Sequence, residues 1–246
     1  MIKLEAVPPP SQLTPQLVED LTAKFKQDGS AVWNKEFIKN RLLEMSNGKC
    51  AYSEIKLRVE GKYVEVEHFL PKSAYPDKVV EWDNLLPASK FCNSKKGDKT
   101  HPIVHPVRDI PKEHLYLDEL HFMSGKTPKG KNSVIILGLN DSEHLLKPRL
   151  AIRDAIQAEL SKQKYLLSFY ERETTENQGL LLTGFLINLL KQGTRKEAYS
   201  ATVATTILND PHFLAIKNVF IANNLWTSEI EVLEDELKFC ALDTKP

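Results

Sequence analysis

Residues 63–69 alternate apolar and acidic side chains, with Val64, Val66 and His68 on one parity and Glu65 and Glu67 on the other. A period of two is the pattern of a strand with unlike faces. Across most of the remaining chain the apolar residues recur every three or four positions, the spacing of amphipathic helices. A short β element between helical arms therefore constrains the fold more than any bulk property. The expected class is α+β, a small core containing strands embedded in mostly α-helical flanking regions.

Three regions follow from this pattern. Residues 1–48 read as a helical segment. Pro8-Pro9-Pro10 stiffens its start, and Thr14 before Pro15 reads as a cap followed by the first helical position. A helix over residues 15–27 places Leu17, Leu21 and Phe25 on one face, and a second over residues 34–46 ends at Asn47-Gly48. Residues 49–125 form the core region. Residues 55–59 and 63–69 read as strands around Glu60-Gly61-Lys62, residues 91–98 as a short helix, and residues 103–107 and 115–117 as further short strands. Residues 126–246 are mainly helical: residues 142–173, with Pro148 near the start, then 179–190, 194–208, 211–223 and an acidic tail at 228–237. Asn209-Asp210-Pro211 is a stop and restart. Residues 133–139 fit either a strand or a helix.

The chemistry is concentrated in Val66-Glu67-His68-Phe69-Leu70-Pro71-Lys72, Trp82-Asp83-Asn84-Leu85-Leu86 and Cys92-Asn93-Ser94-Lys95-Lys96-Gly97. Hydrolysis of a phosphodiester needs a base for water, stabilisation of the leaving oxygen and neutralisation of charge. Histidine titrates near neutrality and suits the first task. A hard divalent cation suits the others and takes oxygen ligands, keeping several waters beside one or two protein groups. Glu67 and the amide oxygen of Asn93 can supply such ligands, and Lys95 and Lys96 can contact phosphate. On a strand, Glu67 and His68 point to opposite sides, so they share one site only if the strand ends or bends beside them.

This ordered set resembles the HNH, or ββα-metal, nuclease motif over roughly residues 49–99. The resemblance implies His68 as general base, Glu67 and Asn93 as ligands of Mg²⁺ (or Mn²⁺), and Asn84 as the residue that holds the loop and orients His68. Glu67 stands where aspartate is common and Asn93 where histidine is common; both keep an oxygen donor. Cys50-Ala51-Tyr52, residues 67–72, Trp82 with Asn84-Leu85, and residues 92–98 resemble more closely the HNH effectors of Septu and retron-associated anti-phage systems, the PtuB family. That likeness implies helical flanks and a PtuA-like ATPase partner, within a Septu system or a retron complex. Many HNH proteins bracket the motif with two Cys-x-x-Cys pairs that bind zinc. Here Ser53 follows Cys50 and Ser89 precedes Cys92, and two thiols do not close a tetrahedral site. No structural zinc is expected, so packing must join the two ends of the unit.

Bulk properties set the limits on this reading. The 33 basic and 33 acidic residues cancel, so no overall basic field attracts nucleic acid. Three cysteines do not make a disulfide framework, and no apolar run approaches the roughly 20 residues that span a bilayer. Residues 1–10 lack the apolar core of a signal peptide. A cytoplasmic protein with no membrane contact is expected. Taken singly, His68 is an ordinary surface or core histidine, Asn84 a turn residue, Asn93 a helix-cap or surface amide and Lys95-Lys96 a solvated pair; only their order carries the chemistry. His101 and His105 read as structural, Arg149 and Arg153 as a solvated helix face, residues 180–190 as core, and the cysteines as small buried apolar residues. The expected activity is metal-dependent hydrolysis of nucleic acid, DNA before RNA or tRNA, by a defence effector. A non-catalytic nucleic-acid-binding subunit is the alternative from another class.

Overall fold

The computed structural model describes residues 1–59 and 63–244. The turn expected at Glu60-Gly61-Lys62 lies outside the described residues. The chain divides into two compact units. One contains Met1, Lys3–His114 and Thr127–Leu139; the other contains Ile2, Leu115–Lys126 and Asn140–Pro246.

In the first unit, α1 (Pro15–Asp28) begins where Thr14 accepts a hydrogen bond from the backbone N–H of Leu17. It ends at Gly29, whose φ of 69° suits glycine and whose N–H returns to the Phe25 carbonyl. Leu17, Leu21 and Phe25 on its inner face pack with Val32, Trp33, Val79 and Val80. This cluster ties the loop after α1 to the loop that precedes Asn84. Helix α2 (Glu36–Met45) buries Ile38, Leu42 and Met45. Strands β1 (Glu65–His68) and β2 (Leu85–Ala88) pair antiparallel, Glu65 opposite Ala88 and His68 opposite Leu85. Ser89 caps α3 (Lys90–Lys96), which packs on β1 and completes a ββα unit. Helix α4 (Pro111–His114) and helix α5 (Pro128–Ile136) follow. Thr127 caps α5 and Pro128 opens it, which decides the ambiguous residues 133–139 in favour of helix up to Ile136.

Two expected strands do not form. Residues 55–59 make only one isolated bridge, Lys56 to Lys49. Glu54 and Arg58 have φ of 62° and 59°, which interrupts extended backbone. Arg58 is also held to Asn40 and Glu36, each at 2.6 Å. The partner of β1 is β2 instead. Residues 103–107 likewise join no ladder, and the Val104 N–H donates to Ser133 Oγ at 2.8 Å.

The second unit has a hairpin, β3 (Leu115–Leu117) with β4 (Met123–Gly125), and five helices: α6 (Lys147–Tyr170), α7 (Glu176–Lys191), α8 (Ser200–Asn209), α9 (Pro211–Ala222) and α10 (Ser228–Cys240). A π-helical turn, Ser142–Leu146, leads into α6, whose first turn holds Pro148 without breaking. Helix α8 is the centre, buried from Ser200 to Ile207 and packed on α6, α9 and α10. Small residues permit that close approach, and Thr205 and Thr206 satisfy their hydroxyls on carbonyls one turn back. Arg149 corrects the solvated-face expectation: it is buried and donates to the His121 carbonyl and Asn140 Oδ1. Residues 180–190 split, with Leu182, Leu186, Leu189 and Leu190 buried and Leu180, Leu181 and Phe185 exposed. Among the described residues no helix is long and apolar enough to cross a membrane.

Candidate active site

The strand period sets the site. Glu65 and Glu67 share the face of β1 that meets α3, and His68 ends the strand on the other parity. Asn93 and Lys96 lie one helical turn apart on α3 and each meets one of the two acids. Asn93 Nδ2 donates to Glu65 Oε2 at 2.6 Å. Lys96 Nζ stands 2.6 Å from Glu67 Oε1. It also donates a hydrogen bond of 2.7 Å to the His68 carbonyl, so one ammonium bridges the acid and the strand backbone. Only 2% of Glu67 and 1% of Lys96 is exposed. Burial pushes the Glu67 carboxyl up, and the Lys96 charge opposes it.

His68 is fixed from two sides. Its Nε2 lies 2.9 Å from the Val79 carbonyl, and a carbonyl only accepts, so Nε2 carries the proton and Nδ1 keeps a lone pair. Trp33 meets the ring edge-on, with centroids 4.8 Å apart at 90°. Burial lowers its pKa to about 4, opposed by the Val79 hydrogen bond and assisted by the charges of Lys72 and Lys96. The imidazole is therefore neutral near pH 7.

Asn84 is buried where the loop returns to β2. Its Oδ1 accepts from the Leu70 N–H at 2.7 Å, and its Nδ2 donates to the carbonyls of Leu70 and Lys78, each at 3.0 Å. One amide thus ties the segment after His68 to the segment that presents Val79. The two ends of the unit are joined by the Ala51 N–H to the Pro87 carbonyl, 2.9 Å, and the free thiols of Cys50 and Cys92 are both buried. Ser89 Oγ accepts from the Cys92 backbone N–H at 3.2 Å.

Glu65, His68 and Asn93 line one open cavity of about 310 Å³ together with Trp33, Lys39 and Lys72. Its chemistry is a neutral base beside a carboxylate and a primary amide. That donor set fits a hard divalent cation, which takes oxygen ligands and keeps its waters. Of the residues the sequence singled out, His68 and Asn93 come together here and Asn84 supports them from behind. Glu67 faces α3, Lys96 is closed within the ββα unit, and Lys95 is exposed on the outer side of α3. Lys96 therefore does not reach phosphate from this position. Glu65 was missed, although its parity with Glu67 is a usable signal. Trp33 and Lys39 had none, being distant in sequence. His105 lies elsewhere, its Nδ1 accepting from the N–H groups of Val107 and Arg108.

Residues 50–101 match the HNH endonuclease family. Over 244 residues the chain is 38% identical to the Septu protein PtuB of Bacillus thuringiensis, covering 95% of this chain and 92% of that protein. It is 29% identical over 182 residues to the Septu protein PtuB of Bacillus mycoides (strain KBAB4), covering 56% of this chain and 61% of that protein. The ββα unit formed by β1, β2 and α3 lies within the matched segment, and the likeness to the first relative extends through both helical arms. The chain belongs to the Septu PtuB family and carries an HNH endonuclease domain.

Proposed function

We propose that this protein is the nuclease effector of a Septu-type anti-phage system and hydrolyses phosphodiester bonds of nucleic acid, with DNA as the favoured substrate. The carrying observation is His68: a neutral imidazole with Nε2 tied to Val79, in the same cavity as a carboxylate and an amide oxygen donor. Its Nδ1 lone pair takes the proton from the attacking water. Asn84 holds the Leu70 and Lys78 segments so that the ring keeps its orientation. A divalent cation, Mg²⁺ or Mn²⁺, would be held by Asn93 with an acidic side chain of β1. Glu65 is already against Asn93, and Glu67, which the motif nominates, would have to leave Lys96 to join them. When bound, the ion supplies neutralisation of the charge that develops on phosphate.

The test is His68→Ala in the complete defence complex, with Mg²⁺ and with plasmid and total tRNA as substrates. A folded variant should lose about 10²–10⁴-fold in rate. Cleavage of tRNA rather than plasmid would assign RNA as the substrate, and undiminished cleavage of either would remove His68 from the chemistry.

The relatives' names place them in Septu, and we propose a PtuA-like ATPase as the partner of this chain too. A formal net charge of zero gives little long-range attraction to nucleic acid, so the partner would deliver or license the substrate. The lone chain should cut poorly at physiological salt and the complex well. Equal rates, or failure to co-purify with an ATPase encoded beside it, would refute this control.

A further inference from the structure

The cations that the sequence nominates for phosphate do not line the cavity, since Lys96 is sealed against Glu67 and Lys95 is exposed elsewhere on α3. Two other lysines do. Lys39 comes from α2 and Lys72 from the loop after β1. Their charges are poorly compensated. Among the described residues Lys72 has no paired carboxylate, and its Nζ sits 4.9 Å from the centroid of Trp33. Among the described residues Lys39 has only a 3.5 Å approach to Glu36, a side chain 70% exposed that Arg58 holds more closely at 2.6 Å.

An ammonium with no counter-ion stays solvated unless something fixes it in place. Here the ring of Trp33 does so. One of its contacts is the edge-on meeting with His68, another the cation–π contact with Lys72, and Phe25 packs against it at 5.8 Å. Trp33 thereby sets the spacing between the base and a fixed positive charge. Lysine binds phosphate as a point charge, without needing the planar fork of arginine.

We propose that Lys39 and Lys72 are the phosphate-holding wall of this cavity, so that residues 31–39, outside the matched segment 50–101, complete the nuclease site. The inference rests on the nuclease reading and assigns the group that each lysine meets: a phosphate oxygen of the bound strand. Trp33 is a positioning residue that acts through Lys72 and His68.

The experiment is binding of the full-length chain to a fluorescein-labelled 20-base-pair DNA duplex and to its single strand. It is run in EDTA so that no cleavage intervenes, and followed by anisotropy from low to physiological salt. Each of Lys39→Ala and Lys72→Ala should weaken binding several-fold at low salt and reduce the slope of log K against log salt by about 1. The double variant should lose about 2 in slope, and Lys72→Arg should retain it. Lys24→Ala, on exposed α1 and paired to Asp28, is the control and should bind as wild type. The inference is overturned if the double variant, folded by circular dichroism, keeps the slope of Lys24→Ala. Failure of the wild-type chain to bind either probe overturns it as well. The two readings fail separately. If the double variant binds and cuts as wild type while His68→Ala is inactive, only the wall falls; if His68→Ala cuts normally, the nuclease reading falls.

Discussion

Replacing Lys96 by methionine separates a structural lysine from a phosphate-binding one. The ammonium is 1% exposed, 2.6 Å from a carboxylate that is 2% exposed, and hydrogen-bonded to the His68 carbonyl. Methionine keeps most of the volume but leaves Glu67 with no cation and the carbonyl with no donor. Removing one member of a buried pair costs up to about 3–5 kcal/mol when the survivor stays charged out of water; the Glu67 carboxyl, pushed up to about 7 even beside Lys96, offsets part of that by taking a proton, so the loss grows as pH rises. Glu67→Met alone should cost a similar amount by stranding Lys96. The double variant removes both charges, and such replacements are commonly close to neutral, so it should recover most of the loss. Urea unfolding followed by tryptophan fluorescence in a Trp226→Phe background would report on the first unit through Trp33 and Trp82. A loss below about 1 kcal/mol for Lys96→Met, the range of surface ion pairs, would refute the burial argument. Retained stability with weakened nucleic-acid binding would return Lys96 to the phosphate.

Asn84→Ala should destabilise the first unit by about 3 kcal/mol, since three hydrogen bonds at a buried position are lost together; urea midpoints measure it. His105 is buried with its pKa lowered from 6.5 to about 4, so as pH falls below 6.5 the unfolded chain takes up a proton that the folded chain refuses. Its contribution, on the order of 3 kcal/mol, is complete above pH 6.5 and lost between pH 6.5 and 4. His105→Asn keeps a side-chain acceptor for the Val107 and Arg108 N–H groups and should remove the His105 share of the fall over that window, while His68, lowered to the same range, keeps its own; an unchanged pH profile would count against the assignment. Chelation by EDTA should stop cleavage while leaving the melting temperature nearly unchanged; a large fall in melting temperature, or stoichiometric zinc by elemental analysis, would contradict the expectation drawn from Ser53 and Ser89.

The sequence alone determined those features that depend on a few neighbouring residues. Thr14-Pro15 and Asn209-Asp210-Pro211 placed helix ends because caps and proline act over one turn. The parity of residues 64–68 placed β1, and the order of Glu67-His68, Asn84 and Asn93 announced an HNH domain, because those residues belong to one compact ββα unit. Residues 55–59 show where the same reasoning stops: their composition suits a strand, but Arg58 binds Glu36 and Asn40 on α2, and β1 takes β2 as its partner. Which acid meets which residue of α3 was also decided only by packing. Glu65 and Glu67 are equivalent by period, and the register of β1 against α3 sends one to Asn93 and the other to Lys96. Trp33, which packs in the cluster of α1 with Val79 and Val80, lines one cavity together with Lys39 and Lys72. Such contacts join Trp33 and Lys39 to Lys72 and Val79, more than thirty positions away, and a linear pattern holds no record of them because burial and charge pairing act through space.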